Sequence, residues 1–524
     1  MAALTFTSGM QLLRAKNYEA VYNQSIAALR TDEKNPLAFF LLGVLASDTG
    51  SHDKALEFFA KSCEHEPKNV HYQTYYAKAL LARGQNVQAK THADLAASIG
   101  TNDALISDMI GVVYSRTGYH ERAIPFFEKA VKKNPRWANF HFNLGASAEF
   151  IGDFKTAKAA YKNTLSVNPK FYLAWFSLVS LEKQNADNNQ LEALKALFEG
   201  TNGDADARLL IGHAIAKTLE DLEQYQESFD WLVKAKAAKK TQIAYTKHQS
   251  AQLFEAAKSM TQTNAARSNH DLSPNSHPRP IFVVGLPRTG TTLLDRILSS
   301  HPQVRSVGEL NTFSHLLSSA VGAPLNNGLN ADVILEAGQI DLSNVGKNYM
   351  AEMNSLASGA AVLISKMPFN FLYAGLIARA LPQAKIITVR RGAMDSCLSN
   401  YRQIFAAHDN KHDYSYDLED TAAFYREFDE LIAHWRKIIS PERFMEVAYE
   451  DIVFEQKTQT RRLLEFCELD WDDACMRFHE NNAPVDTASA VQVRQALYTG
   501  SIGRWEKYGD RLAGLKRALG PLSE

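Results

Sequence analysis

No apolar run in the 524 residues approaches the roughly 18 to 20 needed to cross a bilayer. The opening MAALTFTSGMQLLRAK also lacks the apolar core of a secretory leader. A soluble, cytoplasmic protein with no membrane partner is expected. An excess of charge of one sign is missing too: 57 Lys plus Arg stand against 58 Asp plus Glu, a net charge of −1. That balance argues against nucleic acid as a partner and requires any basic site to be local. Cysteine is scarce. Cys63, Cys397, Cys467 and Cys475 are too few and too scattered for a disulfide framework or a CxxC metal site. They read as reduced structural thiols, with Cys467 and Cys475 the one pair near enough in sequence to join. A chain this long exceeds one ordinary core, so two or more domains are expected.

The first half repeats. Gly50, Gly84, Gly118 and Gly152 recur at one constant interval, as do Ala55, Ala89, Ala123 and Ala157. Gly43, Ala77, Gly111 and Gly145 form a third column with the same period, and Pro67, Pro135 and Pro169 close repeats at one phase. Small residues let paired helices approach, glycine tolerates the turn between them, and proline ends the second helix. The pattern resembles the tetratricopeptide family, whose unit is about 34 residues long. At least four regular copies lie between about residues 36 and 170. RAKNYEAVYN looks like an earlier variant copy, offset by a small insertion near TDEKNP, and LEQYQESFDWLVKAKAAKK like a degenerate later one. An all-α solenoid of six or seven helical pairs is therefore expected over residues 1–256. Its aromatic stripes, such as Phe58, Phe59, Phe126 and Phe127, read as packing between repeats.

Polar sequence without hydrophobic periodicity follows, a linker over 257–279. Beyond it short β-type runs (IFVVG, AVLIS, KIITV, FMEVAY) alternate with helical stretches, the pattern of an α/β domain with a parallel sheet over 280–524. Its first strand runs into GLPRTGTT, a P-loop-like turn from Gly285 to Gly290 with GxxxxG spacing, but Thr291 stands where a triphosphatase carries its lysine. Loop amides, a helix N-terminus, Arg288 and the threonines suit a smaller anion held without a metal. About a hundred residues on, KIITVRRGAMDSCLS ends a strand in Arg390 and Arg391, with Ser399 eight residues after Arg391. An arginine fork at a strand end with a hydroxyl on the next helix makes a clamp for a second phosphate. The plainer alternatives are a tight turn and an exposed arginine pair capping a strand.

The two elements together resemble the sulfotransferase family, whose donor is 3′-phosphoadenosine 5′-phosphosulfate. PRTGTT resembles its 5′-phosphosulfate loop, which makes Arg288, Thr289, Gly290, Thr291 and Thr292 donor-binding residues. RRGAMDSCLS resembles its 3′-phosphate motif, with Arg391 and Ser399 at the contact positions. SKMPFNF carries Lys366, VAYEDI carries Tyr449 at the adenine, and SAVQVRQALYTGSIGRWEKY looks like the closing segment, offering Ser489 and Arg504. These ordered motifs cover nearly all of residues 280 to 510.

Sulfuryl transfer to a hydroxyl needs a base. Glu309 in VRSVGELNTF matches the position at which the animal tyrosylprotein sulfotransferases carry a glutamate base, so the resemblance makes Glu309 the general base. It makes Lys366 and Arg288 the groups that neutralise charge as the donor bond breaks. His301, before Pro302, reads as a structural turn residue. The tyrosylprotein enzymes follow their glutamate with arginines, whereas Asn311, Thr312, Phe313, Ser314 and His315 stand here. An acidic tyrosine peptide is therefore not the expected acceptor, and the arrangement looks more like the bacterial tetratricopeptide sulfotransferases. The resulting expectation is a metal-free enzyme moving the sulfuryl group to an acceptor hydroxyl or amine, with the repeats recruiting the acceptor, a protein or a glycan. The alternative is a catalytically inactive, nucleotide-binding repeat scaffold. Thr291 disfavours a third reading, a metal-dependent kinase or triphosphatase.

Overall fold

The computed structural model describes residues 4–524 except 261–277, 325–328, 357–358, 406–409, 482 and 484–491. Most of the expected linker, and Ser489, lie outside the described residues. The chain forms two compact units, Met1–Glu182 and Lys183–Glu524.

The first unit is built of helical hairpins. They are α1 (Phe6–Arg14) with α2 (Tyr18–Thr31), α3 (Pro36–Asp48) with α4 (His52–His65), and α5 (Val70–Ala82) with α6 (Asn86–Ile99). The pairs α7 (Ala104–Arg116) with α8 (His120–Lys133) and α9 (Ala138–Ile151) with α10 (Phe154–Val167) follow, and α11 (Tyr172–Ser180) ends the series. The small-residue column explains the pairing: a Cβ on Gly43, Gly111 or Gly145 would lie 2.7, 2.6 or 2.7 Å from the ring of Phe59, Phe127 or Tyr161 in the second helix of the same hairpin. Where the small residue is Ala77, the matching position is Ala93, and both are fully buried. The turn glycines Gly50, Gly84, Gly118 and Gly152 all have φ between +72° and +87°, the left-handed region that costs a side chain strain. The first hairpin is in phase with the others, which corrects the expected insertion. Gly9 and Lys16 fall one full period before Gly43 and Gly50, Gly9 is close-packed on Leu41, and Lys16 takes the turn conformation at φ +55°. The lysine in the glycine column hid that register.

The second unit begins with α12 (Leu191–Glu199), α13 (Ala205–Asp221), α14 (Tyr225–Lys240) and α15 (Lys247–Lys258). The segment read as a degenerate later copy falls on the α13–α14 hairpin. Its first helix has 17 residues where α3, α5 and α7 have 13, and it packs on the α/β fold. Lys236 of α14 is fully buried, donates to the Ser415 carbonyl at 2.7 Å and lies over the rings of Tyr401 and Tyr416. Burial holds its amine well below the ordinary lysine range.

The sheet has five parallel strands in the order β2-β3-β1-β4-β5. They are β1 (Arg279–Gly285), β2 (Val304–Ser306), β3 (Val362–Lys366), β4 (Lys385–Arg390) and β5 (Phe444–Ala448). The helices used below are α16 (Thr291–Ser299), α17 (Ala393–Tyr401), α18 (Leu418–Ile438) and α19 (Gln456–Phe466). The interiors of β1, β3 and β4 are buried because both faces of the sheet are covered. Ile281, Val283, Ile364, Ile387 and Val389 share a core with Leu294, Ile297 and Leu298 of α16 and Leu463 and Leu464 of α19. Elsewhere Phe282 of β1 stacks on Tyr349, and Trp435 of α18 donates to the Phe371 carbonyl at 2.8 Å. All four cysteines are buried and free, so Cys467 and Cys475 do not pair. The chain leaves β1 for β2 and β3 on one side and crosses to β4 on the other, which opens a crevice at the carboxyl ends of β1 and β4.

Candidate active site at the carboxyl edge of the sheet

The loop between β1 and α16 is held from several sides. A Cβ on Gly285 would lie 2.5 Å from the Val389 carbonyl oxygen, and one on Gly290 would lie 2.5 Å from the Tyr449 ring. Gly290 also has φ +104°, so both positions need glycine. Arg288 itself adopts φ +68°. The buried Thr289 hydroxyl donates to the Leu286 carbonyl at 2.7 Å, and Asn400 of α17 donates to the Pro287 carbonyl at 2.8 Å. No side chain caps α16, whose N-terminus follows Gly290 and carries Thr291 and Thr292, both buried, in its first turn. Uncapped N–H groups at a helix start attract an anion.

The arginines of the expected fork divide their work. Arg390 turns to Asp429 and to Glu446, the latter at 3.2 Å, and ties β4 to α18 and β5. That ion-pair network corrects the fork reading for Arg390: the pair on the neighbouring elements is satisfied before any ligand arrives. Arg391, 9% exposed, turns to the loop, donating to the Arg288 carbonyl at 3.2 Å and to the Ser501 carbonyl. Its Nε is buried and has no hydrogen-bond partner, an orphaned donor that an anion would satisfy. Asp395, one turn along α17 and 3.9 Å from Arg391, accepts from the amides of Gly503 and Trp505 at 2.7 and 3.1 Å. The closing segment is thereby pinned over this corner. Tyr449 completes the corner, its hydroxyl 2.7 Å from the Ser501 hydroxyl and its ring 5.1 Å from the Arg391 guanidinium. Ser399 lies half-buried on α17. Arg504 pairs with Glu220 of α13 at 3.0 Å. Arg288 is half-buried and reaches Gln492 at 3.0 Å. Burial, and then the charges of Arg391 and Arg402, push its guanidinium down to about 10. Crowded cations of this kind are relieved by a bound anion.

At the end of β3 Lys366, 2% exposed, pairs with Glu309, whose carboxylate is 33% exposed. The Lys366 amide donates to the Gly308 carbonyl at 3.1 Å, and the Val307 amide to Ile364 at 2.9 Å. These bonds carry the chain after β2 alongside β3 and bring the two side chains together. Asp295 of α16, which sequence reasoning missed, is buried with an unpartnered Oδ1. Burial pushes its carboxyl up, Lys366 and a bond from Ser306 pull it down, and Glu309 pushes it up again. Its place on an apolar helical face was the available signal. Asp395 had one as well, four residues after Arg391 on a helix. Both ring nitrogens of His301 are engaged, with the Asp470 carbonyl and the Gln303 amide, each at 3.2 Å. Among the described residues no group of three or more His, Cys, Asp or Glu side chains is arranged to hold a metal ion, and no helix is long and apolar enough to cross a membrane.

The structure thus assembles Arg288, Thr289, Gly290, Thr291, Thr292, Arg391 and Tyr449 around one corner, with Glu309 and Lys366 at the end of the neighbouring strands. Known proteins similar to this chain are of two kinds. The profile of the Sulfotransferase family matches residues 280–473, and that of the Tetratricopeptide repeat matches residues 107–136. An uncharacterized protein of Aquifex aeolicus is 30% identical over 364 residues, 68% of this chain, which spans 47% of that protein's length. Protein-tyrosine sulfotransferase A of Caenorhabditis elegans is 25% identical over 211 residues, 38% of this chain and 52% of the relative. The solved sulfotransferase domain of the Synechococcus PCC 7002 olefin synthase is 20% identical, with 44% of this chain and 88% of that domain covered at a TM-score of 0.34. The chain thus joins a stretch similar to the tetratricopeptide repeat to one, residues 280–473, that matches the Sulfotransferase family.

Proposed function

We propose that the protein transfers the sulfuryl group of 3′-phosphoadenosine 5′-phosphosulfate to an acceptor hydroxyl or amine, and that the repeats recruit the acceptor. One observation carries the reading: a buried arginine with an orphaned Nε, Arg391, meets an uncapped helix start and a second arginine, Arg288, beside a carboxylate–ammonium pair. The 5′-phosphosulfate lies against the loop amides, Arg288 and the hydroxyls of Thr291 and Thr292. The 3′-phosphate lies against Arg391 and Ser399, with the adenine near Tyr449. Arg504 of the closing segment completes the donor pocket.

The acceptor oxygen or nitrogen attacks sulfur in line, and the bond from sulfur to the bridging oxygen breaks as the new S–O or S–N bond forms. The electron pair leaves with 3′-phosphoadenosine 5′-phosphate. Glu309 takes the acceptor proton, and its partly open carboxylate beside a buried ammonium suits that task. Lys366 and Arg288 meet the charge that develops on the leaving phosphate. The step needs no metal.

Calorimetric titration with 3′-phosphoadenosine 5′-phosphate, with and without EDTA and against ATP, tests the donor. Micromolar or tighter binding that survives EDTA and that ATP does not match is expected. In the same experiment Arg391→Ala should weaken binding by about 2 to 4 kcal/mol, the cost of leaving a desolvated charge contact unmade. Equal affinity in the variant, or binding of ATP that requires magnesium, would overturn the assignment.

A further inference from the structure

The helical hairpin ahead of the sheet carries a buried carboxylate with no place in the chemistry above. Glu220, near the end of α13, is 7% exposed. One of its oxygens binds Arg402, the residue that follows α17, and the other lies 3.0 Å from Nε of Arg504. Burial pushes its carboxyl up, but Arg402 and Arg504 outweigh burial and hold it below the usual range. Both arginines border the anion corner. Arg402 lies two residues after Asn400, which donates to the Pro287 carbonyl beside Arg288 at 2.8 Å. Arg504 sits between Gly503 and Trp505, whose amides Asp395 holds one helical turn from Arg391.

We propose that Glu220 is a positioning residue of the donor site: from outside the α/β core it fixes Arg402 and Arg504 beside Arg288 and Arg391, so that a nucleotide bearing a 3′-phosphate meets a preorganised cluster of guanidinium groups. The proposal rests on the donor reading above. It also gives the α13–α14 hairpin a task distinct from that of the repeats, because this hairpin completes the pocket rather than recruiting a partner. Preorganisation raises affinity by removing the ordering that binding would otherwise require.

The sign of one measurement separates positioning from simple charge. Removing a negative charge beside an anion site would by itself tighten anion binding. Loss of positioning weakens it. Calorimetry with 3′-phosphoadenosine 5′-phosphate and with 5′-AMP on the full chain and on Glu220→Gln should show at least a ~10-fold loss for the bisphosphate and less than a ~3-fold loss for 5′-AMP, with Glu220→Asp restoring part of the difference. Unchanged or tighter bisphosphate binding, or an equal loss for both nucleotides, overturns the proposal and leaves the donor reading standing. No binding by the parent protein overturns both. Arg504→Gln, at a half-exposed position, gives the second reading should Glu220→Gln fail to fold. It should narrow the preference for the bisphosphate over 5′-AMP, and an unchanged preference overturns the proposal.

Discussion

Two sets of glycines in this protein let another group come close, and they do so over very different ranges of sequence. In the repeats Gly43 admits the Phe59 ring and Gly111 the Phe127 ring, each from the next helix of the same hairpin. In the loop, Gly285 admits the carbonyl of Val389 and Gly290 the ring of Tyr449, both from strands and helices much later in the chain. Contact in the first region is local and periodic, and each hairpin can be read from its own repeat. Contact in the second is global, and each partner has its place only once the sheet is assembled. The repeats can therefore tolerate an irregular copy such as the one turning at Lys16, whereas the site depends on the whole second unit.

The largest expected effect tests how far that dependence extends. A chain beginning at Lys183 should bind 3′-phosphoadenosine 5′-phosphate as the parent does. One beginning at Ala256 lacks Glu220 and Lys236 and should give no heat of binding and no cooperative melt. Equal binding by both would show that the hairpin is dispensable and would move it to the side of the repeats. Glu309→Gln comes next. Turnover should fall about 10² to 10⁴-fold, the reach of a positioned base, with donor affinity nearly intact, and parental turnover would remove Glu309 from the mechanism.

The smallest effect lies in the repeats. Asp108 of α7 is buried, and burial raises its carboxyl to about 6, against the pull of a 2.8 Å bond from Asn143 and the more distant charge of Lys78. A folded-state pKa above the unfolded value means that the native state holds the proton more tightly, so stability is lost as pH rises from about 4 to about 6. Asp108→Asn should melt higher than the parent at pH 7, by up to about 3 kcal/mol at ~1.4 kcal/mol per pH unit, and the difference should vanish near pH 4. A difference independent of pH would assign the effect to packing. Donor binding should be the same in both proteins.

Much of the candidate site was legible because its motifs are short and carry their own geometry. A strand, a glycine loop and a helix start follow one another in GLPRTGTT, and the KIITVRR run ends on the same edge of any parallel sheet. Which arginine of the pair faces the loop was not legible. Arg390 and Arg391 point to opposite sides of the strand end, and only Asp429 and Glu446, brought up by α18 and β5, mark Arg390 as structural. Asp295 stayed hidden among apolar neighbours in LLDRIL, and Glu220 hid because its partners, Arg402 and Arg504, belong to elements far along the chain.

The repeating hairpins, the parallel α/β pattern and the glycine loop follow from the amino-acid order alone, since each rests on contacts between near neighbours in the chain or on backbone conformations that only certain residues adopt. It took the assembled fold to bring α13 and α14 into the sheet-containing unit, to set Lys366 against Glu309, and to leave Arg391 with an orphaned Nε at the crevice. The reason is physical. Burial of a charge is tolerated only where a distant partner arrives to meet it, and the arrival of that partner is a property of the assembled fold.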